Sequence, residues 1–321
     1  MRFVLSDTDV SIANALRRVM IGEVPTLAIE LVDIEENSTV LHDEFLAHRL
    51  GLLPIRVTRG VNSNAVGAES FEYRHLCSCQ SGNCPNCSVQ FDLDASNDGP
   101  EEVKTVYSSD LLSRTEGVEI IGYSSREEMQ MGGPDKRGIV VAKLGIGQRL
   151  KLTATAYKGI GKIHHKWSPV AVATYTFEPK VTLNMARLED LTEAQRAELV
   201  GSCPTRVFDF DRSSGRVSVA NPAACVFCDA CVRTGRAFRE KADDDNVVSV
   251  EPVPGRFLFS VETTGALRPE EVVLSALRRL QEMVKTLRAH CETVQSSGGL
   301  AAIQHSAVAP YLPYRDSGGF V

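Results

Sequence analysis

Asp9-Val10-Ser11-Ile12-Ala13-Asn14-Ala15-Leu16-Arg17-Arg18-Val19-Met20, closed by Glu23-Val24-Pro25, is the stretch whose reading decides the fold. Asp9 carries the side chain of a helix N-cap. Ile12, Leu16, Val19 and Met20 then fall at i, i+4, i+7 and i+8, one face of a helix over roughly 10–21. Asn14, Arg17 and Arg18 lie off that stripe. The residue before Pro25 is steered away from helix, which ends the segment there. Outward from it, Arg2–Leu5 reads as a short strand and Leu27–Ile34 as an alternating, β-branched one. A second short helix is expected over His42–Leu50, stopped by Gly51 and Pro54.

Beyond residue 55 the patterns are short and strand-like, with Val89–Leu93, Gly138–Leu144, Leu150–Tyr157 and Ala171–Phe177 as the clearest strands. Residues 124–137, with Gly132-Gly133-Pro134, read as an exposed loop. Leu191–Val200 reads as a short polar helix. Val207–Phe210 and Arg216–Val219 flank Arg212-Ser213-Ser214-Gly215, a hairpin signal. Arg233–Lys241 is a basic stretch, and Phe257–Glu262 reads as a strand. Pro269-Glu270-Glu271 opens a long helix to about 290, with proline and acids where a first turn favours them. Val273, Leu277, Leu280, Val284 and Leu287 step by 4-3-4-3 along it, a seam of the coiled-coil kind. That seam suits either a partner helix or the helix's own domain. The Gly-, Ser- and Ala-rich tail over 292–321 reads as flexible.

Composition narrows the class. The chain has 321 residues, enough for one large or two to three smaller domains, and its 43% hydrophobic and 24% charged fractions are those of a globular protein. A net charge of −6 argues against nucleic-acid binding through overall charge. No apolar run approaches the roughly 18 residues that a spanning helix needs, so no membrane association is expected.

Eight of the nine cysteines fall into two sets. The first is Cys77-x-Cys79-x4-Cys84-x2-Cys87, with Gly82 and Pro85 placed to reverse the chain. Four thiolates on one loop make a closed, tetrahedral zinc site with no open coordination position. The alternative is four reduced, metal-free thiols. The second set is Cys225-x2-Cys228-x2-Cys231 with Cys203 in a remote Cys-Pro pair, a ferredoxin-like spacing that suits a [4Fe-4S] or [3Fe-4S] cluster. Zinc is the alternative there. Metal-spaced cysteines without a secretory pattern imply a reducing compartment. The four-cysteine loop offers neither an open position nor a general base, which speaks against a zinc hydrolase.

Ala13-Asn14-Ala15-Leu16-Arg17-Arg18-Val19-Met20 followed by Glu23-Val24-Pro25-Thr26-Leu27-Ala28-Ile29 resembles the signature of the alpha-type assembly subunits of multisubunit RNA polymerases. Asp43-Glu44-Phe45-Leu46-Ala47-His48-Arg49-Leu50-Gly51-Leu52-Leu53-Pro54-Ile55 is similar to that family's second signature. The loop at 77–87 resembles that of the third-largest subunit of RNA polymerase II. The 203–231 insert is similar to the one in the archaeal subunit. The resemblance covers roughly residues 3–290.

The resemblance implies an α+β fold. A discontinuous dimerisation domain would come from 1–30 plus 253–290. A β-rich domain over 31–189 with the zinc loop, and a ferredoxin-like module over 190–245, would be inserted into it. Family members usually have a further strand ahead of the segment matching Phe3-Val4-Leu5-Ser6, so the expectation is either a sequence that starts inside the family's pattern or an exposed edge of the dimerisation sheet. The implied role is a non-catalytic subunit of a nuclear DNA-directed RNA polymerase that heterodimerises with a small alpha-like subunit. That pair would form a platform for the two large subunits and meet other polymerase subunits, with DNA reached only through the complex. The implied partner-binding residues are Ile12, Leu16, Arg17, Arg18 and Val19 on the first helix, His48 and Arg49 on the second, and Val273, Leu277, Leu280, Val284 and Leu287 on the last. Arg17, Arg18, His48 and Arg49 are the candidates toward a large subunit, since a guanidinium fork pairs well with carboxylates and carbonyls. The zinc loop, lying in the insert, is expected to be dispensable for the heterodimer. The rival class, a ferredoxin-like electron-transfer protein, draws on about 40 residues and leaves the two signatures unexplained.

Overall fold

The structure is a computed structural model that describes residues 1–58, 67–79, 81–100, 102–122, 138–238 and 246–297. The loop expected over 124–137 lies outside the described residues, as do residues 239–241 of the basic stretch. Strand β1 (Arg2–Leu5) leads into helix α1 (Val10–Gly22), then strand β2 (Pro25–Asn37), helix α2 (Asp43–Gly51) and strand β3 (Ile55–Val57). Strands β4 (Ser88–Ser96), β5 (Val103–Tyr107), β6 (Leu112–Ser113), β7 (Val118–Ile120) and β8 (Val140–Gly145) follow. The long strands β9 (Arg149–Ile160) and β10 (Val170–Leu183) precede helices α3 (Met185–Asp190) and α4 (Glu193–Gly201). Hairpin strands β11 (Phe208–Asp211) and β12 (Arg216–Val219), helix α5 (Ala230–Ala237), strand β13 (Val248–Thr263) and helix α6 (Pro269–Ser297) complete the described chain. It is a mixed fold of helices and several small sheets, and it divides into two compact units.

The first unit holds Met1, Ala15–Ala173 and the residues from Val261 on. Its main sheet is antiparallel with strand order β2-β9-β4-β6, and Pro25 pairs with Ile160 at one end of the β2–β9 ladder and Asn37 with Leu150 at the other. Successive side chains of a strand point to opposite faces. Val89, Phe91 and Leu93 of β4 therefore enter the core with Leu27, Ile29, Leu152, Ala154 and Ala156, beneath Leu46 and Leu50 of α2. Each such side chain contributes about 1.5–3 kcal/mol on burial. Asp92 and Asp94, on the alternate positions of β4, pair instead with Arg114 at 2.6 Å and Arg149 at 2.8 Å. Two small ladders, β3–β7 and β5–β8, join this unit.

The second unit holds Arg2–Asn14 and Thr174–Ser260. Its sheet runs β1-β13-β10, with Phe3 of β1 stacked on Phe259 of β13 at 4.9 Å and Tyr175 of β10 edge-on to Phe257 at 5.6 Å. β13 begins well before the expected Phe257. Pro252 and Pro254 sit outside the ladder with β1, which spans only Phe257–Ser260, so they remove no hydrogen bond there. The segment expected as one helix over 191–200 is preceded by α3, and Thr192 caps α4 in a reciprocal box with Gln195. The β11–β12 hairpin pairs as the sequence suggests, Phe208 with Val219 and Asp211 with Arg216. Leu188, Leu199, Val207, Phe208, Val217 and Cys231 form this unit's own small core.

α1 starts as expected, since Asp9 Oδ1 accepts the N–H groups of Ser11 at 2.8 Å and Ile12 at 3.0 Å. Its stripe corrects part of the partner assignment. Leu16, 2% exposed, and Val19 are buried within this chain, as is Met20, whereas Ile12 is 53% exposed. The same apolar spacing serves a chain's own core, and here it mostly does. Leu16→Ala is therefore expected to cost about 2–5 kcal/mol of folding stability in the isolated chain. Urea titration checks it; a change below about 0.5 kcal/mol, the range of an ordinary surface substitution, would contradict the assignment.

Candidate functional site

The four cysteines of the first set sit on one loop that runs into β4. Gly82, at φ +65°, turns the chain between the two pairs. All four Sγ atoms lie within 4.8 Å of one another. Cys77 and Cys84 are 3.5 Å apart, Cys84 and Cys87 3.5 Å, and Cys79 and Cys87 3.7 Å. A tetrahedron of zinc–sulfur bonds about 2.3 Å long has edges of about 3.8 Å, so the donor set fits a zinc ion. Cys87 is buried and the other three are half-buried. Burial opposes ionisation of Cys84, but the Asn86 backbone and the thiols of Cys77, Cys79 and Cys87 outweigh it and bring Cys84 down to about 7. For Cys77 the Cys79 backbone favours the thiolate, yet burial, the Cys79 and Cys84 thiols and Glu72 push it up. His75 is exposed beside the Tyr73 ring and stands outside the ligand group.

Side chains beside the cysteines fasten this loop to the sheet. The Tyr157 hydroxyl of β9 donates to Asn83 Oδ1, and the Arg74 guanidinium lies over the Tyr157 ring at 4.7 Å. Spacing alone gave no sign of Tyr157, because it comes from a strand some seventy residues away in sequence.

Cys203, Cys225, Cys228 and Cys231 line one cavity, together with Val181, Val207, Phe208 and Val250; its atom-free space, mouth included, is about 330 Å³. Arg206, Phe227 and Asp229 hold left-handed backbone at φ 54°, 53° and 57°. Non-glycine residues adopt that conformation only where their surroundings compel it, and such strain gathers at functional sites. Burial opposes the Cys203 thiolate, but the Val207 amide, at 3.4 Å from Sγ, and Thr205 lower its pKa overall. Burial pushes Cys231 up. Among the described residues, only the 77–87 group is gathered tightly enough to stand out as a single-ion site.

The long helix shows two faces. Val272, Ser275 and Ala276 are buried against the chain's own body. Further along the seam, Leu277 is 47% exposed, and Val284 and Leu287 each 64%. Val273 and Leu280 are half-buried, and every residue over 281–289 is exposed. The seam read from sequence is thus partly covered at its start and uncovered over its outer half. The helix also runs to Ser297, which corrects the expected start of the tail at 292; the remainder of that tail lies outside the described residues.

The profile of the RNA polymerase Rpb3/Rpb11 dimerisation domain matches residues 2–284. The chain belongs to that family. Subunit rpb3 of RNA polymerase II from Dictyostelium discoideum is 42% identical over 290 residues, 89% of each chain. Subunit 3 of RNA polymerases II, IV and V from Arabidopsis thaliana is 38% identical over 297 residues, 92% of this chain and 89% of the relative. Subunit Rpo3 from Methanosphaera stadtmanae is 32% identical over 280 residues, 87% of this chain and 90% of the relative.

Within this Rpb3/Rpb11-family chain, the remaining candidate residues separate clearly. Arg18 and His48 are exposed, and Arg17 is half-buried. Arg49 is exposed at its edge but braces its own unit: Nε donates to the Val141 carbonyl at 3.1 Å and Nη2 to that of Val140 at 2.6 Å. Phe45, 63% exposed, and Leu52 stand at i and i+7 around His48 and Arg49, so the outer face of α2 is apolar at both ends. The sequence reading passed over these two. Their signal was present, because Leu46, Leu50 and Leu53 already supply the inward stripe. For the metal loop, the expected outcome is one zinc ion per chain by elemental analysis, with Cys84→Ser losing the metal and lowering the melting temperature. Metal-free purified protein would overturn it.

Proposed function

We propose that this chain is a non-catalytic assembly subunit of a nuclear DNA-directed RNA polymerase of the polymerase II type, and that it heterodimerises with a small alpha-like subunit. The observation that carries the reading is the uncovered seam of α6 in a chain whose family profile is a dimerisation domain. Apolar side chains at 4-3-4-3 spacing on an exposed helix are what a partner helix covers. The dimerising part would be 1–30 with 253–290, using Ile12, Val273, Leu277, Leu280, Val284 and Leu287. Arg17, Arg18, His48 and Arg49, with Phe45 and Leu52, would face a large subunit. The zinc loop would stiffen a segment too small for a core of its own.

Leu277→Glu and Leu287→Glu place a carboxylate on the seam without touching the chain's own core. Both variants should fold with stability close to the parent, within about 0.5 kcal/mol as is usual for surface positions. Both should lose the small subunit on co-purification. Retention of that subunit at parental stoichiometry by the double variant would sink the reading.

For the second cysteine set we propose an iron–sulfur cluster with a structural role. The four thiols around one cavity, and three left-handed residues beside them, support a group larger than one ion. The ferredoxin-like electron-transfer alternative would account for this module alone, whereas the family match runs over residues 2–284. Anaerobically purified protein should show a broad absorption near roughly 400 nm, as thiolate-bound clusters do. Cys228→Ser should abolish it and raise hydrogen exchange over 190–238. Zinc at this site after strictly anaerobic preparation would contradict the cluster.

A further inference from the structure

We infer that residues 67–73 couple the four-cysteine loop to the docking helix α6, with Glu69 as the positioning residue that fixes how the seam is presented. The inference rests on the proposed zinc and heterodimer readings, and it revises the expectation that the loop is dispensable for the heterodimer.

One end of this segment grips the root of α6. Gly67, at φ +63°, approaches so closely that a Cβ there would lie 2.7 Å from Leu267 Cδ2, two residues ahead of the helix. Glu69 Oε1 accepts the hydroxyl of Ser275 at 2.5 Å, and Arg278 Nη1 lies 3.9 Å from its other oxygen. Ser275 is buried and sits between the exposed Leu274 and Leu277. Each residue turns a helix by about 100°, so holding Ser275 inward holds both leucines outward.

The other end belongs to the metal loop. The Glu72 N–H donates to the Asn86 carbonyl at 2.8 Å, between Cys84 and Cys87. The Tyr73 carbonyl accepts the N–H groups of Leu76 at 2.9 Å and Cys77 at 3.0 Å. Both sides of the loop therefore clasp Glu72-Tyr73, so a metal on the four thiols would hold the two sides of that clasp together. In the middle, the carbonyl of the buried Phe71 accepts Lys158 Nζ at 2.7 Å, and that ammonium lies over the Tyr73 ring at 4.7 Å. Burial lowers the Lys158 pKa; Glu69 offsets this in part, and the charges of Arg279 and Glu282 on α6 also reach the ammonium. Seven consecutive residues thus run from the helix root to the cysteines with both ends anchored.

The experiment uses the heterodimer co-expressed with the small subunit, with zinc measured first. Chelation or Cys84→Ser should speed hydrogen exchange over 270–280 and weaken the heterodimer by about tenfold. Glu69→Ala should keep its zinc, weaken the heterodimer to a similar extent, and make chelation nearly without further effect, since two changes on one connection do not add. Glu69→Gln, which keeps an acceptor for Ser275, should stay close to the parent. A zinc-loaded heterodimer whose 270–280 exchange and affinity ignore chelation would overturn the coupling alone. Additive effects of Glu69→Ala and chelation would overturn the route through Glu69. A parent without zinc, or one that never dimerises, would instead remove the reading beneath it.

Discussion

Leu277, Val284 and Leu287 stand in water on a helix whose first turns are built into the chain's own body. Each such side chain is worth about 1.5–3 kcal/mol when buried. Over 281–289 the helix has no buried residue at all, and an unsupported helix of a dozen residues is marginal in water. The uncovered seam therefore constrains everything around it. Its root must be held firmly, and under the proposed reading its outer face stays apolar because another chain completes it. The buried Val272, Ser275 and Ala276 and the clasp of Glu69 on Ser275 serve the first need.

The cysteine sets lie where hydrophobic packing is thin. Among its described residues the 77–87 loop contributes only Cys87 to the buried apolar set, and its order depends on four thiols at van der Waals separation and on Tyr157 and Arg74 from outside it. The 203–231 set borders a small core in which Cys231 is itself a member. Under the proposed readings, metal ligation would replace core in both places, as it does in small metal-folded domains. The left-handed backbone at Arg206, Phe227 and Asp229 lies beside the second set, where the proposed cluster would offset its cost.

Much of this was legible in the sequence. The Asp9 cap, α1, α2 and the β11–β12 hairpin all lie where local chemistry puts them, since caps, turns and short-range periodicity act within a few residues. The four-cysteine geometry followed from spacing on one loop. Direction was harder. Ile12, Leu16 and Val19 share a helical stripe, yet only Ile12 is exposed, because periodicity shows that a face is apolar without showing what covers it. The end of α6 was missed although Cys291 and Val294 continue the 4-3 step past Leu287; their polar neighbours hid it. Arg49's brace to Val140 and Val141 depends on a pairing ninety residues distant and had no local signal.

The seam and its missing cover can be tested together. Native mass spectrometry of the complex isolated through a tag on this chain at its natural expression level reads the stoichiometry directly. The expected result is one copy of this chain with one small dimerisation-domain subunit, released together as a pair from the two large polymerase subunits when the complex is dissociated. A monomer that emerges free of any small subunit, with α6 protected from hydrogen exchange along Leu277, Val284 and Leu287, would contradict it.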